Sequence, residues 1–329
     1  MPGMTTTRAR LRGGIDLGGT KIQAVVMDGR NVVRGSARGP TPREGGPPAV
    51  AVAMADTLRA AVEASGASPA QLLAVGVGAP GAVDFRTGVV AHSGNIAGWQ
   101  GSFPLGATLS AELGVPVRIG NDVDVATEAE YRHGAGKEYR SVLGVFWGTG
   151  VGGGLILNGQ RWTGRGAAAE IGHVVVVIDG LPCGCGRRGC MEAYAGRGRL
   201  EERARAAHEK GHHTSLFHHM ERRGKDRLSS GVWAAALEDG DKLATHLIDE
   251  AMAALGAGVA SANNLLDVDA IILGGGLGTR FGQPFADRLS REMLPHLFVS
   301  DRPPPVLVAA LGDLGGAVGA ALGAPVRGR

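Results

Sequence analysis

A chain of 329 residues is long for one ordinary core and suits two lobes of roughly 100 to 200 residues each. Hydrophobic residues make up 44 %, and 34 basic side chains nearly balance 31 acidic ones for a net charge of +3, which excludes a disordered or strongly polyanion-seeking chain. No apolar run of signal-peptide length follows Met1 and none approaches the ~20 residues that span a bilayer, so a cytoplasmic protein with no membrane partner is expected.

Residues 13–29, GGIDLGGTKIQAVVMDG, alternate apolar and polar side chains around a glycine turn, the pattern of a β-hairpin with an open bend. Glycines in Asp16-Leu17-Gly18-Gly19-Thr20-Lys21 remove the Cβ atoms that would block close approach, leaving N–H groups free to face phosphate oxygens. Thr20 can add a hydrogen bond. Asp16, at the strand end, can orient magnesium through its waters, because that hard cation takes oxygen ligands and keeps several waters. Gly18, Gly19, Thr20 and Lys21 are thus candidate nucleotide contacts, although a plain hairpin turn would use the same glycines.

A helical pattern at 48–65 precedes a strand at 73–78 that ends in GAPG. A strand at 115–119 then runs into Asn121-Asp122 and a helix reaching about His133. If phosphate is transferred, a carboxylate at a strand end is a suitable group to take the acceptor's proton, and Asp122 has that placement. Capping the helix is its rival role, and Asp124 is a nearby competitor. Residues 146–159, FWGTGVGGGLILNG, align with the first hairpin without a gap at an offset of 130, so that Gly18 falls on Gly148 and Thr20 on Gly150. Gly148, Thr149 and Gly150 therefore offer a second amide-rich turn. Asn95, Glu170 and Glu192 are polar residues beside turns, able to bind sugar hydroxyls or simply to face solvent.

All three cysteines, Cys183, Cys185 and Cys190, lie within CGCGRRGC. Disulfides are rare in a reducing compartment, which shifts such a cluster toward metal binding or catalysis. Tetrahedral zinc needs four ligands, and His173 upstream completes a closed Cys3His shell of the structural type. A redox pair is the rival, but the spacing is C-x-C rather than C-x-x-C. His208, His212, His213, His218 and His219 show no ligand spacing and are expected in a solvated loop.

Beyond the cysteines the chain reads as mainly helical to about Leu266, with a polar loop near 211–230. It returns to strand Ala270 to Leu273, the triplet Gly274-Gly275-Gly276, an amphipathic helix near 280–294, a strand Val306 to Ala310 and a small-residue helix from Gly315. The triplet places free amides and a positive helix end where a nucleotide can lie. Neither a P-loop nor a dinucleotide-binding glycine fingerprint occurs. Strands alternating with helices favour α/β layers, and two glycine-turn hairpins suggest a duplicated nucleotide-binding architecture with a cleft between lobes.

DLGGTK at 16–21, GND at 120–122, GTGVGGG at 148–154, EIGH at 170–173 and CGCGxxGCxE ending at Glu192 together resemble the ROK family of sugar kinases and related repressors, over residues 12–322. The resemblance implies an α/β fold of the actin-like, hexokinase-type (ribonuclease H-like) class, duplicated into two lobes with an interdomain cleft. A small lobe would span 1–121 with the helix 314–329 returning to it; a large lobe would span 122–313 and carry a zinc-binding loop at 173–190. It further implies ATP with magnesium, Asp122 as catalytic base, and Asn95, Asn121, Glu170, His173 and Glu192 as hydroxyl-binding residues. His173 would give one ring nitrogen to zinc and the other to the sugar. A homo-oligomer, dimer or tetramer, is implied as well.

Two departures stand out: Ala169 where relatives usually carry glycine, and Val123-Asp124 where small or amide residues are commoner. The resemblance points to an ATP-dependent hexose kinase, foremost a glucokinase acting on the 6-hydroxyl. Kinases of fructose, mannose, N-acetylglucosamine or N-acetylmannosamine are the neighbouring readings, and polyphosphate is an alternative donor. A sugar-responsive repressor would need a winged helix-turn-helix, for which the dozen residues before the first strand leave no room, so no nucleic-acid partner is expected. A silent sugar sensor is disfavoured by the retained Asp16, Asp122 and paired turns.

Overall fold

The computed structural model describes residues 10–325 apart from 92, 94 and 95. The chain divides into two compact units. One holds the chain up to Gly134, Gly164–Ala167 and the chain from Leu311 on; the other holds Ala135–Thr163 and Ala168–Ala310.

In the first unit, β1 (Leu11–Leu17) and β2 (Lys21–Met27) form the expected antiparallel hairpin, and β3 (Val33–Pro40) extends it. β4 (Leu72–Ala79) adds to β1 in parallel. The short strands β5 (Ala82–Asp84), β6 (Val89–Ala91) and β7 (Ser102–Phe103) make a small antiparallel sheet of their own, and β8 (Val117–Asn121) completes the main one in the order β3-β2-β1-β4-β8. Strands covered on both faces read as near-continuous apolar runs, as AVGVGA in β4 does. The helix Gly46–Ala64 covers the sheet with a stripe at Val50, Met54, Leu58 and Ala61, the period of one helix face. The helix Gly315–Leu322 lies so close that any side chain at Gly14 or Gly76 would overlap the backbone of Ala317 or Ala320. Its small-residue composition is what permits that approach.

The second unit repeats the plan. β9 (Val142–Trp147), β10 (Val151–Leu157) and β11 (Gln160–Arg161) are an antiparallel meander, and β12 (Ala270–Gly274) and β13 (Val306–Val308) follow in parallel, in the order β11-β10-β9-β12-β13. Trp147, Trp233, Leu255, Ile271 and Leu289 pack its core. The long helix Lys242–Leu266 starts where Asp241 accepts a hydrogen bond from the Ala244 amide at 2.8 Å, a side-chain cap on an orphan donor.

The offset of 130 holds for all four hairpin strands, but the turns differ. Leu17 pairs with Ile22, whereas Trp147 pairs with Val151, so the second turn is one residue tighter. The polar segment near 211–230 contains a helix, Leu216–Arg222, so of the five histidines only His212 and His213 lie in the expected exposed loop. His208 sits in the helix Arg197–Glu209, and His219 is buried with Nε2 2.7 Å from Asp239 Oδ2. Carboxylate pairing drew this histidine inside, a contact with no signature in sequence spacing. Among the described residues no helix is long and apolar enough to cross a membrane.

Candidate active site

The two glycine turns share an electrostatic design. In the first, the Gly18 amide closes the turn on the Lys21 carbonyl at 2.9 Å. Thr41 then satisfies the acceptors: its hydroxyl donates to the Gly18 carbonyl at 2.6 Å and its amide to the Thr20 carbonyl at 3.2 Å. The amides of Gly19 and Thr20 have no acceptor among the described residues. In the second, the Gly148 amide closes on the Gly150 carbonyl at 2.9 Å, the Arg197 amide donates to the Gly148 carbonyl at 3.1 Å and the Gly198 amide to the Thr149 carbonyl at 3.0 Å. The amides of Thr149 and Gly150 are likewise left over among the described residues. Carbonyls largely occupied, with Gly19 the exception, beside surplus N–H donors make a concavity that attracts anions. Thr41 and Arg197 were not singled out in the sequence, because neither belongs to a glycine motif.

Other expected groups gather at the second turn. Glu192, in the first turn of the helix Met191–Ala195, accepts a hydrogen bond from the Val151 amide at 2.9 Å and lies against Gly150. Gly275 adopts φ +79°, a left-handed conformation that favours glycine, with the Trp147 carbonyl where a side chain would start. Gly274 faces the Phe146 ring, and the Gly276 amide is 3.6 Å from the position of a Cβ on Gly148. The triplet and the turn are therefore neighbours.

At the end of β8 the roles of two adjacent residues separate. Asn121 is the helix cap: its Oδ1 accepts from the Val123 amide at 3.0 Å and the Asp124 amide at 3.3 Å, and its Nδ2 reaches the Gly81 carbonyl at 3.5 Å. Asp122 Oδ1 accepts from the same Val123 amide at 2.9 Å and so shares that one capping bond, while Asn121 alone takes the Asp124 amide. Gly78 makes room for it; a Cβ there would sit 3.3 Å from the Asp122 Cα and 3.8 Å from Asp16 Oδ1. Gly316 does the same for Asp16, since a Cβ would meet that carboxyl group at 2.7–3.0 Å. Asp122 keeps some surface in solvent, yet the protein packed about its carboxyl group strips most of its hydration. Burial first, and the Asp16 carboxylate second, push its pKa up from 3.8 to about 7, against the opposing hydrogen bond from the Val123 amide. Asp124, itself buried, adds a smaller push.

His173 ends a short 3-10 turn, Ile171–His173, with its Nδ1 3.7 Å from Cys183 Sγ, and Cys185 Sγ lies 3.7 Å from Cys190 Sγ. All four donor atoms fall within 4.8 Å of one another. A tetrahedral zinc with Zn–S near 2.3 Å needs donors about 3.7 Å apart, so the residues fit that ion. Glu170, just before the turn, is exposed; its carbonyl accepts from the His173 amide at 3.0 Å, and its carboxylate has no hydrogen-bond partner among the described residues. Ala169 holds φ +60°, a left-handed conformation that favours glycine. Asn95 lies outside the described residues.

Comparison with known proteins accords with this geometry. The family model described as ROK family matches residues 12–325. The chain belongs to the ROK family. Among ROK relatives, a glucokinase of Streptomyces coelicolor is 34 % identical over 94 % of this chain and 95 % of that protein. An N-acetyl-D-glucosamine kinase of Citrobacter koseri is 33 % identical over 94 % of this chain and 97 % of that one. Among solved structures, a ROK family glucokinase from Streptomyces griseus in complex with glucose and AMPPNP superposes with a TM-score of 0.79 at 34 % identity, covering 94 % of this chain and 98 % of that one. The two repeated α/β units are those of the actin-like, hexokinase-type fold.

Proposed function

We propose that this ROK protein is an ATP-dependent hexose kinase, foremost a glucokinase that phosphorylates the 6-hydroxyl of glucose. The observation that carries the reading is the pair of turns whose carbonyls are largely bonded and whose tip amides are free, in a chain that also holds a carboxylate at about pKa 7. Phosphoryl transfer needs little else from a protein beyond positioned donors for phosphate oxygens and a base for the acceptor.

In the proposed reaction the sugar hydroxyl oxygen forms a bond to the γ-phosphorus while the bond to the β–γ bridging oxygen breaks, and the hydroxyl proton passes to Asp122. A carboxylate of pKa near 7 is a much stronger base than an ordinary one, yet is substantially ionised at neutral pH. Gly18, Gly19, Thr20 and Lys21, and likewise Gly148, Thr149 and Gly150, are the proposed phosphate contacts. Gly274 and Gly275 support the nucleotide. Asp16 would hold magnesium through its waters, and that ion supplies charge neutralisation on the phosphate oxygens when bound.

Asn95, Asn121, Glu170, His173 and Glu192 are the proposed hydroxyl contacts. Zinc on His173, Cys183, Cys185 and Cys190 would tie the turn bearing Glu170 to the helix bearing Glu192, with no reaction step of its own. Without metal, burial raises the Cys183 thiol and pushes Cys190 up to about 12, whereas the Arg187 amide and guanidinium, outweighing burial, bring Cys185 to about 6. Metal binding is therefore expected to release protons. The cytoplasm, where ATP is available and thiols stay reduced, is the proposed compartment, and a dimer or tetramer the proposed assembly.

The similarity to an N-acetylglucosamine kinase at nearly the same identity supports that sugar as the second reading. A coupled ADP-release assay over glucose, mannose, fructose, N-acetylglucosamine and N-acetylmannosamine separates them. Glucose is expected to give the highest kcat/KM; a clear preference for an N-acetylated sugar would install the second reading, and no ADP release with any of the five would refute both.

A further inference from the structure

We propose that Arg197 is a donor-phosphate contact, a residue that sets affinity for the phosphoanhydride chain of the nucleotide; the inference rests on the kinase reading above. Its place is set by the backbone. Arg197 opens the helix Arg197–Glu209 with its amide on the Gly148 carbonyl, and the next amide, of Gly198, takes the Thr149 carbonyl. The side chain turns back over the same loop, where Nη2 donates to Thr149 Oγ1 at 3.0 Å. The guanidinium is thereby bonded to the loop that carries the free amides of Thr149 and Gly150.

The Arg197 guanidinium makes no hydrogen bond or ion pair to a carboxylate among the described residues, and Glu201 acts on it only at a distance. The acid one turn along its own helix, Glu201, is already committed: it accepts from Arg205 at 2.8 Å, from Arg227 at 2.9 Å and from the Leu228 amide at 3.2 Å. A guanidinium carries five N–H donors, and Thr149 uses one of them. Three features make this an unfavourable place for a lone cation. The residue is half-buried, Arg227 is a like-charged neighbour, and the N-terminal end of a helix carries partial positive charge. Burial and Arg227 indeed lower its pKa. An anion seated on the loop amides reverses all three at once, and the fork geometry of arginine suits a phosphate better than lysine does.

The test compares wild type with Arg197→Ala, Arg197→Gln and Arg197→Lys in steady-state assays with glucose and MgATP, and measures AMP and tripolyphosphate as inhibitors. Losing a charge-assisted contact is expected to raise the KM for ATP about tenfold or more and to weaken tripolyphosphate similarly. The glucose KM and AMP inhibition should stay within about twofold, since neither ligand reaches the residue. Lysine should restore part of the loss. Glutamine can still reach Thr149 but lacks the charge, so it serves as the variant if alanine fails to fold, and it should behave as alanine does. An ATP KM within twofold of wild type in the alanine or glutamine variant overturns the inference, as does a loss confined to thermal stability. If wild type releases no ADP with any sugar, the kinase reading fails instead; direct calorimetric binding of tripolyphosphate, present in wild type and lost in Arg197→Gln, would then still decide the role of Arg197.

Discussion

The unusual basicity of Asp122 makes the pH profile a sensitive probe. With a pKa raised from 3.8 to about 7, roughly a tenth of the carboxyl is ionised at pH 6 and nine-tenths at pH 8. Because kcat/KM follows the free enzyme, it should climb about tenfold between those values in a coupled assay at low glucose, saturating MgATP and constant ionic strength. Asp16→Asn removes the second-largest cause of the shift and leaves burial, the largest, in place. Its rate should fall through loss of the proposed magnesium site, and its remaining activity should rise at lower pH than in wild type. The same shift has a consequence for stability. A carboxyl whose folded pKa lies above its unfolded value favours the native state in its protonated form, so this contribution is complete below about pH 4 and lost as pH rises through about 7. Asp122→Asn should flatten that part of the stability profile in urea titrations. A wild-type kcat/KM that stays level down to pH 5, or an Asp16→Asn limb at the wild-type position, would refute the reasoning.

Metal analysis of the purified protein should find about one zinc per chain, and none would refute the proposed ligand set. Cys185→Ser should release it and lower both melting temperature and glucose affinity; because Cys185 is exposed, lost packing cannot account for the change. Ala169→Gly should stabilise the protein by up to about 1 kcal/mol, since left-handed backbone costs an L-residue ~1–2 kcal/mol and glycine returns only part of that through the unfolded chain. A fall of more than about 1 kcal/mol in chemical denaturation would contradict the strain assigned to that position.

The duplication was legible because hairpin strands carry their period locally: an offset of 130 carries β2 onto β10 end to end and β1 onto β9 to within one residue at its start. The one-residue difference between the turns was not, since a gapless alignment hides register and only the cross-strand pairs reveal it. The glycine turns were visible as anion candidates, but what makes them so is the occupation of their carbonyls by Thr41, Arg197 and Gly198, at 21 to 49 residues' remove. Asp122 could be read as a cap or a base from sequence; Asn121 is the cap residue, and Asp122 shares only its bond to the Val123 amide. His219 was misjudged because its partner Asp239 lies on no shared motif. The cluster of His173 with the three cysteines was readable because eight positions hold every cysteine, and one donor short of a tetrahedron is a specific deficiency.

Turnover of Asp122→Asn bears most directly on phosphoryl transfer with a carboxylate base. The variant keeps the side-chain shape while removing proton affinity, so ADP release with saturating glucose and MgATP should fall by ~10²- to 10⁴-fold, with glucose binding by calorimetry largely kept. Turnover within a few-fold of wild type would contradict the account, because the proton would then have to leave by another route.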